Sequence, residues 1–342
     1  MQIHHFDTRK KVFIIAELSA NHAGSLERAL DTIKAAKEAG ADAIKLQTYT
    51  PHSLTLDSAK EDFLIKGGLW DGRRLFELYE AAQTPYEWHS QLFEAAQNLG
   101  LICFSSPFCE EDVAFLRRFD PPAYKIASFE ANDPNFVRLI AREKKPTFIS
   151  TGIATQEELE ESVRIFKEEG NSQLCFLKCT SAYPAPLEDL NLNAIVALRE
   201  KFKLEVGLSD HSPGHLAAVL AVALGARVIE KHFILDKGVK SEDSAFSLDK
   251  EEFRAMVRAV RQAEMALGSG GLELDEKALK NRHFARSLYV SAGIKKGEEF
   301  SAANVKSVRP SLGLHPRFYL ELLGRRAKRD LEAGMALTEE DL

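Results

Sequence analysis

The segment PTFISTGIATQEELEESVRIFKEEGNSQLCFLKCTSAYP, residues 146–184, holds one complete structural repeat. PTFISTG and LCFLKCTSAYP are short apolar runs of strand type, and TQEELEESVRIFKEEG between them has the apolar period of an amphipathic helix. Thr155 and Glu158 have the spacing of a capping box. Gly170 stands where a helix ends on a left-handed residue. Strand, loop, capped helix and next strand make one β/α unit.

The same unit recurs outward in both directions. Strand-like runs lie at Val12–Leu18, Ala41–Tyr49, Leu101–Phe108, Ala123–Glu130, Pro146–Gly152, Leu174–Pro184, Leu204–His211 and Arg227–Leu235, with most starts roughly 23 to 30 residues apart. LERALDTIKAAKEAG, ending on Gly40, is another helix of the series. Eight alternating units predict an α/β fold, a (β/α)8 TIM barrel over residues 1–267. An open doubly wound sheet would bring a glycine-rich phosphate loop, and neither common form of it occurs. One connection is longer than the rest. PHSLTLDSAKEDFLIKGGLWDGRRLFELYEAAQTP, with Gly67, Gly68 and Gly72 around Trp70, follows the second strand and is expected to cover a substrate.

After a Gly/Ser-containing linker, residues 268–282, the character of the chain changes. IKKGEEFSAANV (294–305) and LEAGMALTEEDL (331–342) share the pattern [I/L]-x-x-G-x-x-[F/L]-[S/T]-x-x-[N/D]-[V/L]. The repeat predicts a small pseudo-symmetric β-rich domain over residues 283–342, leaning on the barrel or on a second subunit because it is short of core.

Composition excludes other classes. The 342 residues are 45% hydrophobic and 28% charged, with a net charge of -6, which gives no electrostatic footprint for nucleic acid. Arg325, Arg326, Lys328 and Arg329 are interrupted and followed by acids, so they read as a solvated face. VFII is too short for a signal-peptide core, and no apolar run approaches a membrane span. Cys103, Cys109, Cys175 and Cys179 read as reduced thiols, so a cytoplasmic protein is expected.

Polar residues gather at the C-terminal ends of the strands, where barrel enzymes carry their active sites. They are Glu17, Asn21 and His22; Lys45 and Gln47; Ser105 and Ser106; Lys125 and Ser128; and Ser150 and Thr151. The last three strands add Lys178, Thr180, Ser181 and Tyr183; Ser209, Asp210 and His211; and Glu230, Lys231 and His232. Lysines with several hydroxyls suit a phosphate beside a carboxylate. SDHSPGHL (209–216) offers His211 and His215 at helical spacing, but Pro213 and Gly214 turn the chain between them. His211 is instead paired with His232, one unit later, either as a divalent-metal site or as two hydrogen-bonded structural imidazoles.

IAELSANHAGS, KLQT, SSPF, YKIAS, ISTG, LKCTSAYP, VGLSDHS and EKHF, in this order, resemble the sialic acid synthase family, and the terminal repeat resembles its antifreeze-like (SAF, β-clip) domain. AELSANH, GGLWDGRRLFELYEAAQTPYEWH and VRPSLGLHP look most like the bacterial branch whose product is pseudaminic acid. The resemblance implies condensation of phosphoenolpyruvate with an N-acetylated amino sugar, here 2,4-diacetamido-2,4,6-trideoxy-L-altrose, with release of phosphate by C–O cleavage. It also implies roles. Lys45 would hold the phosphoenolpyruvate carboxylate, and Ser106, Lys125, Ser128, Ser150, Ser181 and Ser209 its phosphate. Gln47, Tyr183, Asp243 and Arg309 would contact the sugar, Arg309 from the partner subunit of a domain-swapped homodimer. His211 and His232 would ligate Mn²⁺ or Mg²⁺, with Co²⁺ as a further candidate. Glu17 or Glu230 would move a proton or orient water, unless either only anchors a lysine.

Three rivals stand beside this reading. One is an aldolase of the same fold with Lys45, Lys125 or Lys231 as Schiff-base nucleophile. Another is a sister synthase making legionaminic or N-acetylneuraminic acid. The third is a non-catalytic sugar- or ice-binding protein.

Overall fold

The computed structural model describes residues 1–342, which form two compact units, Met1–Gly268 and Ser269–Leu342. In the first, eight parallel strands close into a barrel. They are β1 (Phe13–Glu17), β2 (Ala43–Thr48), β3 (Ile102–Pro107), β4 (Tyr124–Ile126), β5 (Thr147–Ser150), β6 (Leu174–Cys179), β7 (Glu205–Asp210) and β8 (Val228–His232). Each pairs with the next, and β8 closes on β1 in the register Val228↔Phe13 to His232↔Glu17.

Period-two alternation sorts every strand into two faces. Phe13, Ile15, Ala43, Ile102, Phe104, Ala123, Phe148, Cys175, Leu177 and Val228 point inward and fill the N-terminal part of the lumen. The N-terminal hairpin, Gln2–Ile3 against Phe6–Asp7, packs Ile3, Met1 and Phe6 against this plug. Outward residues such as Ile14, Ile44, Leu208 and Ile229 join the helical layer. Gly207 is required by this packing, because a Cβ there would run into the Val228 carbonyl and the Leu177 side chain.

The helices follow their sequence signals. Leu26–Ala39 ends on Gly40 at φ 96°. Gln156–Glu168 opens with the Thr155–Glu158 capping box and is followed by Gly170 at φ 67°. The long connection after β2 is a folded excursion of short helices, Pro51–Leu54 and Leu75–Ala82, with a hairpin between them.

In the second unit, residues 276–281 are helical. Strands β9 (Ser287–Val290) and β10 (Val305–Val308) pair antiparallel. The repeat is visible as structure. Ile294 and Leu331, at the same place in the two copies, exchange backbone hydrogen bonds of 2.9 and 2.8 Å. Gly297 and Gly334 both take left-handed φ, 85° and 91°. The Asn304 side-chain Oδ1 accepts from the Ser301 N–H at 2.7 Å, and the Asp341 carboxylate accepts from the Thr338 N–H at 2.8 Å. Leu288, Val290, Ile294, Phe300, Val305, Leu322, Leu331 and Leu337 give the unit a core of its own.

Candidate active site

Above the apolar plug the inward positions become polar. Continuing the alternation by one step reaches Glu17, Lys45, Ser106, Lys125, Ser150, Cys179, Ser209 and Glu230, all at most 4% exposed. Lys45 forms an ion pair with Glu17, lies 3.7 Å from Glu230 and donates to the Ser106 hydroxyl at 3.1 Å. Lys125 is 3.5 Å from the other oxygen of Glu230, which also accepts from the Ser209 hydroxyl at 3.0 Å. Gln47 donates to Glu17 at 3.2 Å.

These buried charges tune one another. Burial pushes Glu17 up to about 7, against the pull of Lys45. Burial also acts on Glu230, but Lys125, Lys45 and Ser209 outweigh it and hold this carboxyl below its usual range. Burial lowers Lys125 despite Glu230, whereas Glu17 and Glu230 keep Lys45 above its ordinary value.

A second group faces this cluster. The Ser128 and Ser181 hydroxyls are 2.9 Å apart, Ile153 N–H donates to Ser128 at 3.2 Å, and the buried Ser150 hydroxyl has no partner. Gly152 lies against them so closely that a Cβ would overlap both the Ser128 and Ser181 oxygens. A cradle of hydroxyls beside lysines, one hydroxyl free and the backbone kept bare, suits a phosphoryl group.

The imidazoles of His211 and His232 lie side by side, ring centroids 5.4 Å apart. His211 Nδ1 is 3.0 Å from the Thr180 carbonyl, so it carries the proton and leaves Nε2 as a lone-pair donor. Burial, with the positive charges of His211 and the lysines, keeps His232 well below its ordinary value and hence neutral. Its Nδ1 is buried without a hydrogen bond, 3.7 Å from Asp243 Oδ2. Burial acts on His211 too, but Cys179 and the Thr180 carbonyl outweigh it and hold this imidazole above its ordinary value. Two adjacent imidazoles suit a divalent ion that competes with the proton for the ring nitrogen and takes its remaining ligands from outside the chain. His215 is exposed and precedes the helix Leu216–Ala223, apart from this pair.

Several expected members of the ring are elsewhere, and strand alternation explains most of them. Ser105, Lys178, Asp210 and Lys231 share the parity of outward core residues. Ser105 bonds Thr48 at 2.6 Å, and Lys178 donates to the Cys179 carbonyl at 2.6 Å and to Thr180 at 3.2 Å. Lys231 is fully buried against Asp210 at 2.7 Å and also donates to the Ser212 carbonyl, which removes it as a Schiff-base candidate. His22 packs edge-on against Trp88. Asn21 ties the first loop to the last by donating to the Phe233 carbonyl at 3.0 Å and to Ser247 at 2.8 Å. Asp243 also braces that seam, accepting from Ala20 N–H at 3.3 Å. Arg309 is exposed, just past β10 in the second unit.

The site also holds residues that the sequence reading passed over. Cys179 points into the lumen, 3.9 Å from both His211 Nδ1 and the Ser181 hydroxyl. Its parity with Leu177 was the available signal. Glu130, two residues past Ser128, keeps a buried carboxylate oxygen without a partner, and burial pushes it up to about 7 against the pull of Lys125. Phe246 packs against Tyr183, His211 and His232 at 5.1, 6.0 and 4.8 Å.

Paired lysines and carboxylates at the catalytic end of a closed barrel define a (β/α)8 enzyme that works on a small anion. Comparison with known proteins narrows that class. The chain belongs to the NeuB family, whose model matches residues 32–271, and a SAF-domain model matches residues 285–342. It is therefore a transferase of the kind that condenses phosphoenolpyruvate with a sugar. Over 341 residues it is 74% identical to the pseudaminic acid synthase of Campylobacter jejuni strain 81-176, covering 100% of this chain and 99% of that one. The pseudaminic acid synthase of Helicobacter pylori is 48% identical, with 96% and 97% covered. Among solved structures, the spore coat polysaccharide biosynthesis protein SpsE of Bacillus subtilis has a TM-score of 0.67 at 35% identity, covering 100% of this chain and 98% of that one.

Proposed function

We propose that the protein condenses phosphoenolpyruvate with 2,4-diacetamido-2,4,6-trideoxy-L-altrose and water, giving pseudaminic acid and phosphate. The observation that carries this reading is the hydroxyl cradle beside Lys45 and Lys125, with Cys179 between its Ser181 hydroxyl and the His211 imidazole. High identity along the whole chain to pseudaminic acid synthases supports the choice of acceptor.

Lys45 receives the carboxylate of phosphoenolpyruvate. Lys125, Ser106, Ser128, Ser150, Ser181 and Ser209 hold its phosphate. Gln47, Tyr183 and Asp243 contact the sugar, with Arg309 added by the partner subunit of a homodimer. A divalent ion held by His211 and His232, Mn²⁺ or Mg²⁺, supplies Lewis-acid polarisation of the sugar aldehyde when bound.

The methylene carbon of phosphoenolpyruvate forms the new bond to the aldehyde carbon, and the aldehyde oxygen gains a proton. Glu17, whose pKa of about 7 leaves a large fraction protonated near neutral pH, is the donor, with Glu130 as the second carboxyl able to serve. Water adds to the cationic carbon bearing the phosphate and gives up a proton. Breakage of the C–O bond then releases phosphate and leaves the keto group. Glu230 stays ionised, orients that water and holds the two lysines in place.

Phosphoenolpyruvate labelled with ¹⁸O in its bridging position tests the route. The label should leave in the phosphate-free product pool only if the P–O bond breaks; C–O cleavage carries it into inorganic phosphate, the result expected here. Borohydride with pyruvate should trap no adduct on Lys45 or Lys125.

A further inference from the structure

The excursion after β2 presents a hairpin. Ile65 N–H donates to Arg73 and Gly72 N–H to Ile65, both at 2.9 Å, and Leu64 bridges Arg74. Gly67, Gly68 and Gly72, at φ 79°, 75° and 79°, turn its tip around Trp70. The Trp70 ring packs on Tyr183 with centroids 5.8 Å apart, and Tyr183 packs on His211 at 4.5 Å. Arg73 reaches Glu242, next to Asp243, at 3.2 Å. The indole Nε1–H of Trp70 is buried and has no acceptor. Indole is a donor only, and a buried donor without a partner is expensive to keep unless a ligand supplies one.

We propose that Trp70 is a specificity-determining residue whose indole N–H donates to the C4 acetamido carbonyl of the sugar acceptor. This rests on the reading of the site as one for a diacetamido sugar. The reacting aldehyde carbon belongs beside the imidazoles. Trp70 lies one aromatic ring further out, past Tyr183, where a substituent three carbons along the sugar falls. The same indole face supplies apolar contact for the acetyl methyl.

Trp70→Phe keeps an aromatic ring and removes the N–H. It should raise KM for the diacetamido sugar about tenfold, the size of one lost hydrogen bond, while KM for phosphoenolpyruvate and the thermal midpoint stay unchanged. An acceptor with hydroxyl in place of the C4 acetamido should be used equally well by wild type and Trp70→Phe. An unchanged sugar KM, an equal loss for both substrates, or the same tenfold loss with the C4-hydroxyl sugar would overturn the assignment. If the wild type used only a sugar without a C4 acetamido, the acceptor reading would fall and this donor's partner with it. Normal wild-type use of the diacetamido sugar combined with an indifferent Trp70→Phe would overturn the Trp70 role alone.

Discussion

Glu17 and Glu230 are chemically identical carboxyls at the ends of neighbouring strands, and their surroundings drive them apart. Glu17 near 7 gives up its proton within the neutral range, whereas Glu230 between two lysines has already lost its own below it. With Glu17 as donor, kcat should fall as pH rises through about 7, because the acid form is lost. Glu17→Gln should lower kcat by roughly 10²–10⁴-fold and remove that limb, and Glu130→Gln should leave the limb in place; kcat–pH profiles of the three proteins decide. His211→Ala and His232→Ala should each abolish Mn²⁺ binding in a titration, and His215→Ala should leave it unchanged. Comparable losses at all three positions would contradict the pairing across strands. The His211–His232 pair was legible because two strand ends one unit apart must be neighbours. Cys179 and Glu130 were not, since their roles depend on lumen parity and on a loop's path, and neither carries a motif of its own.

At the scale of elements, β7 and β8 present His211 and His232 inward while Asp210 and Lys231 join the same two strands from outside. That buried ion pair links the two strand ends directly beside the imidazoles. Lys231→Met should destabilise the fold by about 3–5 kcal/mol, because Asp210 is left charged and unpaired. Lys231→Met with Asp210→Asn should recover part of that loss; urea denaturation of both variants measures it. The strands themselves were readable from their apolar runs, and every one of the eight expected runs contains a barrel strand. Which polar residues face the lumen was harder to read. A strand-end cluster such as KCTSAYP or EKHF mixes inward and outward positions, and one residue of register exchanges them. The hairpin around Trp70 follows the same logic, its glycines announcing a turn without saying what the tip touches.

For the whole molecule, the pseudo-symmetry of the second unit was legible in the terminal repeat, because each copy carries the same glycine turn and a capping side chain at the same place, Asn304 in one and Asp341 in the other. The proposed dimer adds a functional consequence. If Arg309 serves the neighbouring subunit, mixing Arg309→Ala with His211→Ala subunits should restore about a quarter of wild-type activity, since half of the dimers are mixed and each has one intact site. No recovery after subunit exchange would place Arg309 in its own chain's site, and full activity of Arg309→Ala alone would place it outside any site. Phosphate release from phosphoenolpyruvate across a panel of acetamido sugars, with and without chelator, is the most direct test of the proposed reaction. Rapid release with 2,4-diacetamido-2,4,6-trideoxy-L-altrose, lost on chelation and regained with Mn²⁺, is the expected result. Turnover with N-acetylmannosamine alone, or release indifferent to chelator, would contradict it.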